Sequence, residues 1–424
     1  RRQRQMCIRD SKNRYLLTFT LRADATSRFN KDNRWGYFPA AALAWRINNE
    51  SWMQNAAGWL SDLKLRLGWG QTGQQDVGSW NNYTVTYQQS QGTVLYPNGL
   101  NGWFNPYFAN GYNDKLKWET TTSYNVGIDF GFLNNRIMGS IEGYFRKTTD
   151  LLSYVTVPAG SSTVNMLNKN IGDLENYGVE FNLTARPIVT NDFTWILTYN
   201  VGYNHNKITK LNDNNAVYET GDGIGAQGQK AMANKVGYAA NTFWLYQQVY
   251  DENGAPIEGV YVDQNGDGQI DNLDRVLNHQ KDPKVTMTFG SQFRYKAWDL
   301  GFSLRASIGN YLYNNVESSN GYYDRMFQYG LHNLVEADYY FNSQQEVSDY
   351  YLRNASFLRC DNITLGYTWD NLLKNNLRLR LFAGVQNPFV ITKYNGVDPE
   401  VFSGVDSSPY PRATTYSLGL VATF

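Results

Sequence analysis

Residues 122–132 read TSYNVGIDFGF, and apolar and polar side chains alternate along this stretch. One face of it would carry Tyr124, Val126, Ile128, Phe130 and Phe132, and the other Ser123, Asn125, Gly127, Asp129 and Gly131. A period of two indicates a strand with one apolar face. The run is longer than the usual soluble strand of about 5 or 6 residues, and it suits a tilted membrane-spanning strand of roughly 9 to 11.

The same alternation recurs along the 424-residue chain. We predict about twelve such strands. They lie near residues 15–28, 37–47, 63–72, 120–132, 137–149, 176–188, 194–207, 285–296, 298–309, 356–369, 376–390 and 414–424. The predicted fold class is therefore all-β.

Short and long connections alternate between these strands. The short ones are 133–135, 187–192, 296–297 and 371–376, with 48–62 of medium length; the long ones are 73–119, 150–175, 208–284, 310–355 and 391–413, with 29–36 brief. Outer-membrane barrels have tight periplasmic turns and long extracellular loops. The pattern therefore predicts a transmembrane antiparallel β-barrel with its long loops outside the cell.

Eight charged residues within the predicted strands fall on the polar register. They are Asp129, Glu142, Glu180, Arg186, Arg294, Arg305, Arg378 and Arg380. A Lys or Arg that faces lipid at the bilayer midplane costs roughly 2 to 4 kcal/mol. We therefore assign the polar face to the lumen and the apolar face to the lipid.

Composition argues against several classes of protein. Lys+Arg and Asp+Glu both number 38, so the net charge of zero gives no electrostatic argument for nucleic acid. The longest nearly apolar run, YFPAAALAW at 37–45, is far shorter than the roughly 18 to 20 residues of a transmembrane helix. No combination of acid, base and nucleophile indicates an enzyme.

The two ends of the chain differ in pattern. The opening RRQRQMCIRDS (1–11) resembles a translated adapter, and we expect residues 1–11 to be a non-native or disordered leader; a genuine basic N-terminus is the alternative. The closing TYSLGLVATF (415–424) alternates again and ends on the aromatic Phe424. This ending resembles the signal that the bacterial barrel-assembly machinery reads.

Several motifs, taken in order, resemble a known family. They are LRADATSRFNKDNRWGYFPAAALAWRINNESWM (21–53), LKLRLGWGQTGQQDVG (63–78), NYGVEFNL (176–183), DQNGDGQIDNLD (263–274) and the closing strand. From about residue 15 to its end the chain resembles the SusC-type (SusC/RagA family) TonB-dependent outer-membrane transporters. The run ADATSRF (23–29) departs from the Asp-Gly-Ser-Ser type of run common in that family.

The resemblance implies an active importer of oligosaccharides or oligopeptides in the outer membrane. It implies a barrel of about 22 strands, of which residues 12–424 would form the C-terminal part without the plug and N-terminal strands. The implied partners are a SusD-like surface lipoprotein and the TonB complex, which would act through the missing N-terminal region. We expect this chain alone to form an incompletely closed sheet whose first and last strands are unpaired.

The stretch DQNGDGQIDNLD has the spacing of a calcium loop, with oxygen donors at positions 1, 3, 5, 7, 9 and 12 and a glycine at 6. The predicted ligands are Asp263, Asn265, Asp267, the carbonyl of Gln269, Asp271 and Asp274. Ile270 is expected to be an apolar anchor. The predicted cofactor is a structural Ca²⁺ that stiffens an extracellular loop; an Asn/Gly/Asp-rich turn that binds no ion is the alternative.

Aromatic side chains are frequent in the segments 79–87, 101–108 and 320–330. They are expected either to contact sugars or peptides, or to pack against other loops and the lipoprotein. Two further functions stay open. One is a soluble calcium-dependent glycan-binding β-protein, which should have polar residues on both outer faces; the other is a passive outer-membrane pore of about twelve strands.

Overall fold

One thirteen-stranded sheet, with its strands in chain order, dominates the structure. The computed structural model describes residues 3–11, 13–76, 78, 82–89, 96–97, 103–104, 106–157, 164, 166–224, 228–327, 340–345, 347–372, 377–407 and 410–423. The strands of the sheet are β1 (Gln3–Ser11), β2 (Tyr15–Ala25), β3 (Trp35–Arg46), β4 (Leu60–Gln74), β5 (Glu119–Phe132), β6 (Ile137–Thr149), β7 (Asp173–Val189), β8 (Phe193–Lys210), β9 (Val285–Tyr295), β10 (Trp298–Ile308), β11 (Phe357–Asn371), β12 (Leu377–Thr392) and β13 (Thr415–Thr423). All twelve predicted strands are present, which confirms the all-β fold class.

The thirteenth strand, β1, lies where we expected a leader outside the fold. Gln3–Ser11 pairs antiparallel with β2 along its whole length, with Gln3 opposite Ala23 and Ser11 opposite Tyr15. Gln3–Ser11 therefore forms a strand of the sheet, and the expectation that residues 1–11 are non-native stays a prediction. The sequence gives no regular alternation here, whereas ladder pairing uses backbone groups and does not require one.

The sheet has two ends, β1 and β13. Each pairs with one neighbour in the sheet, and no pairing within the described residues joins them to each other. This agrees with the expected incompletely closed sheet, except that β1 replaces Tyr15–Ala25 as the first strand.

Tight turns and long loops alternate as predicted. The turn between β5 and β6 places Leu133, Asn134 and Asn135 at positive φ, and the turn between β9 and β10 does the same with Lys296. The long connections are 75–118, 150–172, 211–284, 309–356 and 393–414. The predicted turn at 371–376 lies partly outside the described residues.

The long loops contain secondary structure of their own. Short strands lie at Tyr87–Gln89, Tyr96–Pro97, Trp103–Phe104, Tyr107–Ala109, Leu152–Thr156, Met166–Asn170, Tyr218–Ile224, Gln229–Asn234, Thr242–Tyr246, Gln248–Tyr250, Pro256–Tyr261, Arg275–Gln280, Tyr311–Asn314, Leu352–Asn354 and Val405–Asp406. Among the connections are one α-helical turn, α1 (Asn315–Asn320), and 3-10 turns at Lys31–Asn33, Ile47–Asn49, Ser51–Ala56, Asn272–Asp274, Tyr323–Phe327 and Asp349–Tyr351. Within the described ranges, no helix has the length and apolar character needed to cross a membrane.

The register separates the two faces of the sheet. Asp129 of β5 lies opposite Lys64 of β4, so these two charged side chains lie on the same face. On the other face, Val126 is 54% exposed and Leu418 is 77% exposed. Apolar side chains with this much exposure suit a surface that contacts lipid.

A matched pair of substitutions in β7 tests the face assignment. Val179→Lys places a cation on the lipid face and should lower the free energy of unfolding by about 2 to 4 kcal/mol, whereas Asn182→Lys, on the lumen face, should lower it much less. Denaturant unfolding from phospholipid bilayers measures both. Equal losses would contradict the assignment.

Candidate functional site

Ion pairs on the lumen face connect neighbouring strands. Asp129 of β5 binds Lys64 Nζ at 2.8 Å and Arg66 Nη2 at 2.9 Å, both from β4. Arg66 Nη1 also lies 3.0 Å from Glu142 Oε2 of β6. The guanidinium covers Gly127, where a Cβ would stand 2.9 Å from Arg66 Nη2. A glycine therefore leaves the space that lets one arginine join three strands.

A second ion pair crosses an entire strand. Arg380 of β12 donates to Asp299 of β10 through Nε at 3.0 Å and through Nη2 at 2.5 Å. The intervening strand, β11, places Gly366 directly beneath the pair, because a Cβ there would stand 2.6 Å from Arg380 Nη2 and from Asp299 Oδ1. The bidentate bridge can form because Gly366 has no side chain.

A concave region of about 690 Å³ adjoins this bridge. Small and polar side chains predominate among the residues that line it, which include Thr194, Thr198, Gln292, Ser303, Asn362 and Thr364. Hydroxyl and amide groups offer both donors and acceptors. This part of the lumen wall is therefore suited to contact a polar solute.

Three long connections, 211–284, 309–356 and 393–414, pack together as one outer-loop body. Its core contains Ile224, Ala231, Met232, Phe243, Leu245, Tyr313, Tyr322, Phe341, Val347, Tyr351 and Val405, each at most 6% exposed. Backbone bonds also join the connections: Tyr246 N donates to Val347 O at 2.9 Å, and Tyr313 N donates to Gly404 O at 3.0 Å. The loops thus form one packed unit.

Glu258 fastens two of these connections to each other. Its carboxylate accepts bonds from Ser343 N at 2.8 Å, Ser343 Oγ at 2.7 Å, Asn342 N at 3.1 Å and Asn342 Nδ2 at 3.0 Å. Burial by itself would raise the pKa of Glu258, but these bonds outweigh it and lower the pKa. The charged form therefore stabilises the contact, which weakens when acid protonates the carboxyl group.

The first half of the predicted calcium loop is ordered by its own side chains. Asp263 accepts bonds from Gly266 N at 2.6 Å and from Gly268 N at 2.8 Å. Asn265 Oδ1 accepts a bond from Asp267 N at 2.9 Å. Gly266 and Gly268 have φ values of 74° and 79°, a region that favours glycine. The loop therefore turns sharply around the first ligand position.

The second half of the loop folds back onto the first. Gln269 N donates to Asp267 Oδ1 at 2.8 Å. Asp274 is fully buried, and its carboxylate accepts bonds from Asp271 N and Gln264 N, both at 2.8 Å. These backbone bonds, led by the one from Asp271, lower the pKa of Asp274. The twelfth position is therefore an anion held inside the loop.

The predicted ligands fit calcium in donor chemistry, since all of them are the hard oxygens that this ion prefers. The structure places Asp263 and Asp274 near each other, because Gln264, the residue after Asp263, donates its N–H to Asp274 Oδ1 at 2.8 Å. A cation would stabilise two carboxylates in this arrangement. The structure does not bring a third acidic group to them, because no cluster of three His, Cys, Asp or Glu suited to a metal exists in the described part of the chain. The expectation for Ile270 is wrong: it is 44% exposed and anchors nothing.

The aromatic loop segments divide between core and surface. Residues 79–81, 101–102, 105 and 328–330 of these segments lie outside the described residues. Tyr322 belongs to the core of the outer-loop body, whereas Tyr323 and Phe327 are exposed and their rings meet edge to face at 5.5 Å. Tyr107 is exposed as well. Tyr322 therefore packs within the loops, whereas the exposed aromatic residues stay candidates for contact with a ligand.

Comparison with known proteins defines the family. Residues 9–387 match the family described as TonB dependent receptor-like, beta-barrel. The chain belongs to this family. TonB-dependent receptors are outer-membrane proteins with transport roles rather than enzymes, so the predicted localisation is confirmed.

The chain is 48% identical to the TonB-dependent receptor SusC of Bacteroides thetaiotaomicron, an alignment that covers 97% of this chain and 42% of that receptor. It is 29% identical to the TonB-dependent receptor P3 of Formosa agariphila, covering 97% of this chain and 44% of that receptor. These matches confirm the SusC-type resemblance. The chain spans less than half the length of the curated receptors that it matches.

Two solved structures share the fold of this TonB-dependent receptor chain. The RagAB peptide transporter superposes with a TM-score of 0.79 at 24% identity, covering 97% of this chain and 46% of that one. The RagAB peptide importer in its open-open state superposes with a TM-score of 0.82 at 22% identity, covering 100% and 46%. At these identities the likeness concerns the fold alone.

The bridge between Arg380 and Asp299 is a feature that sequence reasoning missed. The period-two pattern places both charges on the lumen face, but it does not show that they meet across β11. A glycine on the polar register of β11 was the available signal, and such glycines also occur where no ion pair crosses.

Gly366→Ala should displace the Arg380 bridge and lower the free energy of unfolding by about 1 kcal/mol. Gly301→Ala is the matched control, because a Cβ there would have its nearest neighbour at 3.8 Å. The loss should disappear in an Asp299→Ala, Arg380→Ala background, which a double-mutant cycle measures. A loss that persists in that background would show that the bridge is not the cause.

Proposed function

We propose that this chain forms the barrel wall and outer loops of a SusC-like importer that takes oligosaccharides or oligopeptides through the outer membrane. The observation that carries the proposal is the 48% identity to SusC along 97% of the chain. The polar concavity of the lumen wall supports it, because a hydrated solute needs donors and acceptors along its path. The soluble glycan-binding alternative fails, since the family is an outer-membrane one.

The proposed partners are a SusD-like surface lipoprotein over the outer loops and the TonB complex as the source of energy. A packed outer-loop body supports the first, because a rigid, partly aromatic surface binds a partner at a lower entropy cost than separate mobile loops. Peptides are proposed as one substrate class from the resemblance of the chain's motifs to the SusC/RagA family. The SusC relationship supports oligosaccharides as the other.

Uptake by cells tests this function. Cells that lack the gene should lose uptake of a fluorescently labelled oligosaccharide mixture or of a tryptic oligopeptide mixture, and the restored gene should return it. Uptake should cease when the proton-motive force is collapsed. Uptake that continues without the proton-motive force would favour the passive pore, and unchanged uptake of both solutes in the deletion strain would contradict import.

We also propose that residues 263–274 bind a structural Ca²⁺ through Asp263, Asn265, Asp267, the carbonyl of Gln269, Asp271 and Asp274. The ion would neutralise the carboxylates of Asp263 and Asp274 and hold the two halves of the loop together. With about 1 mM external calcium and a Kd of about 0.1 mM, binding would stabilise the loop by about 1.4 kcal/mol.

Protease resistance tests the calcium proposal. Calcium should slow cleavage within 208–284 about tenfold in the parent protein, as that stabilisation implies. The variant Asp263→Ala, Asp267→Ala should lose this protection while the barrel stays folded, and Asp251→Ala, in a neighbouring turn of the same loop, is the control. Protection that changes neither with calcium nor with the substitutions would show that residues 263–274 form a turn that binds no ion.

A further inference from the structure

The last long connection returns over the lumen wall before β13 begins. Residues 393–406 of this connection are called the return strap. Asp398 is 6% exposed and Glu400 is half-buried. Both of these acidic residues contact arginines that belong to the sheet or to the approach to β13, so the strap is attached to the wall by charge.

Two of the arginines lie directly opposite each other on the lumen face. Arg305 of β10 and Arg359 of β11 are partners in the ladder. Like charges in this position repel each other. Asp361 is an acidic residue of the wall itself, and it lies 3.1 Å from Arg305 Nη2. One wall carboxylate does not balance two guanidinium groups, so the pair needs further negative charge.

The return strap supplies that charge. Arg359 Nη2 lies 2.6 Å from Asp398 Oδ1, and the Arg359 side chain is only 3% exposed. Glu400 binds Arg305, and its Oε2 lies 3.7 Å from Arg359 Nε. A buried guanidinium that lost these partners would be uncompensated.

A third arginine closes the cluster from the approach to β13. Arg412 Nε lies 3.0 Å from Asp398 Oδ2, and Arg412 Nη1 lies 3.1 Å from Glu400 Oε2. Asn387, a positive-φ residue in β12, accepts a bond from Arg359 Nη1 at 2.7 Å and donates to Arg412 O at 3.0 Å. The cluster therefore contains three arginines and three carboxylates.

The other end of the return strap belongs to the outer-loop body. Val405 lies in the core of that body, and Val405–Asp406 pair in parallel with Tyr313 and Asn314. Lys281 donates to Phe402 O at 3.1 Å and lies 4.6 Å from the Phe402 ring. One short segment is thus fixed to the wall at one end and to the outer loops at the other.

We propose that the return strap is a latch that couples the outer loops to the lumen wall. Movement of the outer-loop body pulls Asp398 and Glu400 away from Arg305 and Arg359 and opens this side of the lumen. Return of the strap restores the charge balance and closes it. The gating role rests on the import function proposed above, whereas the attachment by ion pairs can be tested without transport.

Trypsin provides a native reporter for the attachment. Lys393 is exposed, but the next residue, Tyr394, is buried and its N–H donates to Thr392 Oγ1 at 3.0 Å, so cleavage at Lys393 requires the strap to open. Arg359→Gln and, separately, Glu400→Gln should speed this cleavage by about tenfold or more, because proteolysis follows the population of the open form. Mass spectrometry of the fragments from the membrane-inserted protein measures the rate.

Arg380→Gln is the matched control, because it removes an arginine–carboxylate pair from the same wall at Asp299. Its cleavage rate at Lys393 should equal that of the parent. Cleavage at the parent rate in all three variants would overturn the attachment of the strap by ion pairs. If Arg359→Gln does not fold, as judged by heat-modifiable migration on a gel, Glu400→Gln decides alone, since it alters the loop and not a strand.

Uptake by cells carrying the same variants tests the gating role. Glu400→Gln should change the initial uptake rate at least threefold at equal receptor abundance. Arg378→Gln, a further variant that removes the exposed ion pair with Asp370 outside the concave region, should not. Faster cleavage with unchanged uptake would overturn gating and leave a purely structural fastening. If the parent itself imports nothing, the import function fails and gating fails with it, whereas the trypsin result still decides the attachment.

Discussion

The pairing of backbone amides and carbonyls between neighbouring strands is the constraint on which the rest of the structure depends. Hydrocarbon offers no water to an unpaired amide or carbonyl, and each such group costs several kcal/mol. Thirteen strands pair in chain order to satisfy this requirement. Strand length, alternation of faces and the sorting of turns from loops all follow from it.

One interruption of the ladder, in β11, changes which side chains reach the lumen face. The register shifts between Cys360 and Asn362 of β11. A bulge sets two residues opposite one. As a result Asp361 binds Arg305 while Asn362 lines the adjoining concave region. The irregularity therefore increases the polarity of the wall at one point without leaving β11 unpaired.

Glycine and charge act together on that wall. Gly127 and Gly366 each lie beneath an arginine that would collide with a Cβ. The arginines in turn join strands that are neighbours or are separated by one strand. The long loops are stabilised differently, because they form an apolar core of their own. The buried contact of Arg359 with Asp398 joins them to the wall. Removing one partner of such a buried pair is strongly destabilising, because the other charge is left buried without compensation.

Much of the fold could be predicted, because the informative properties are local. Alternation along TSYNVGIDFGF and the cost of charge in lipid determined the strands, their two faces and the order of turns and loops, and family motifs indicated the transporter class. The sequence by itself did not place Gln3–Ser11 in the sheet, show that Ile270 is exposed or pair Arg359 with Asp398, which are 39 positions apart. Only the tertiary structure decided these, because backbone pairing does not depend on side-chain pattern and the partner of a charge depends on how distant loops pack.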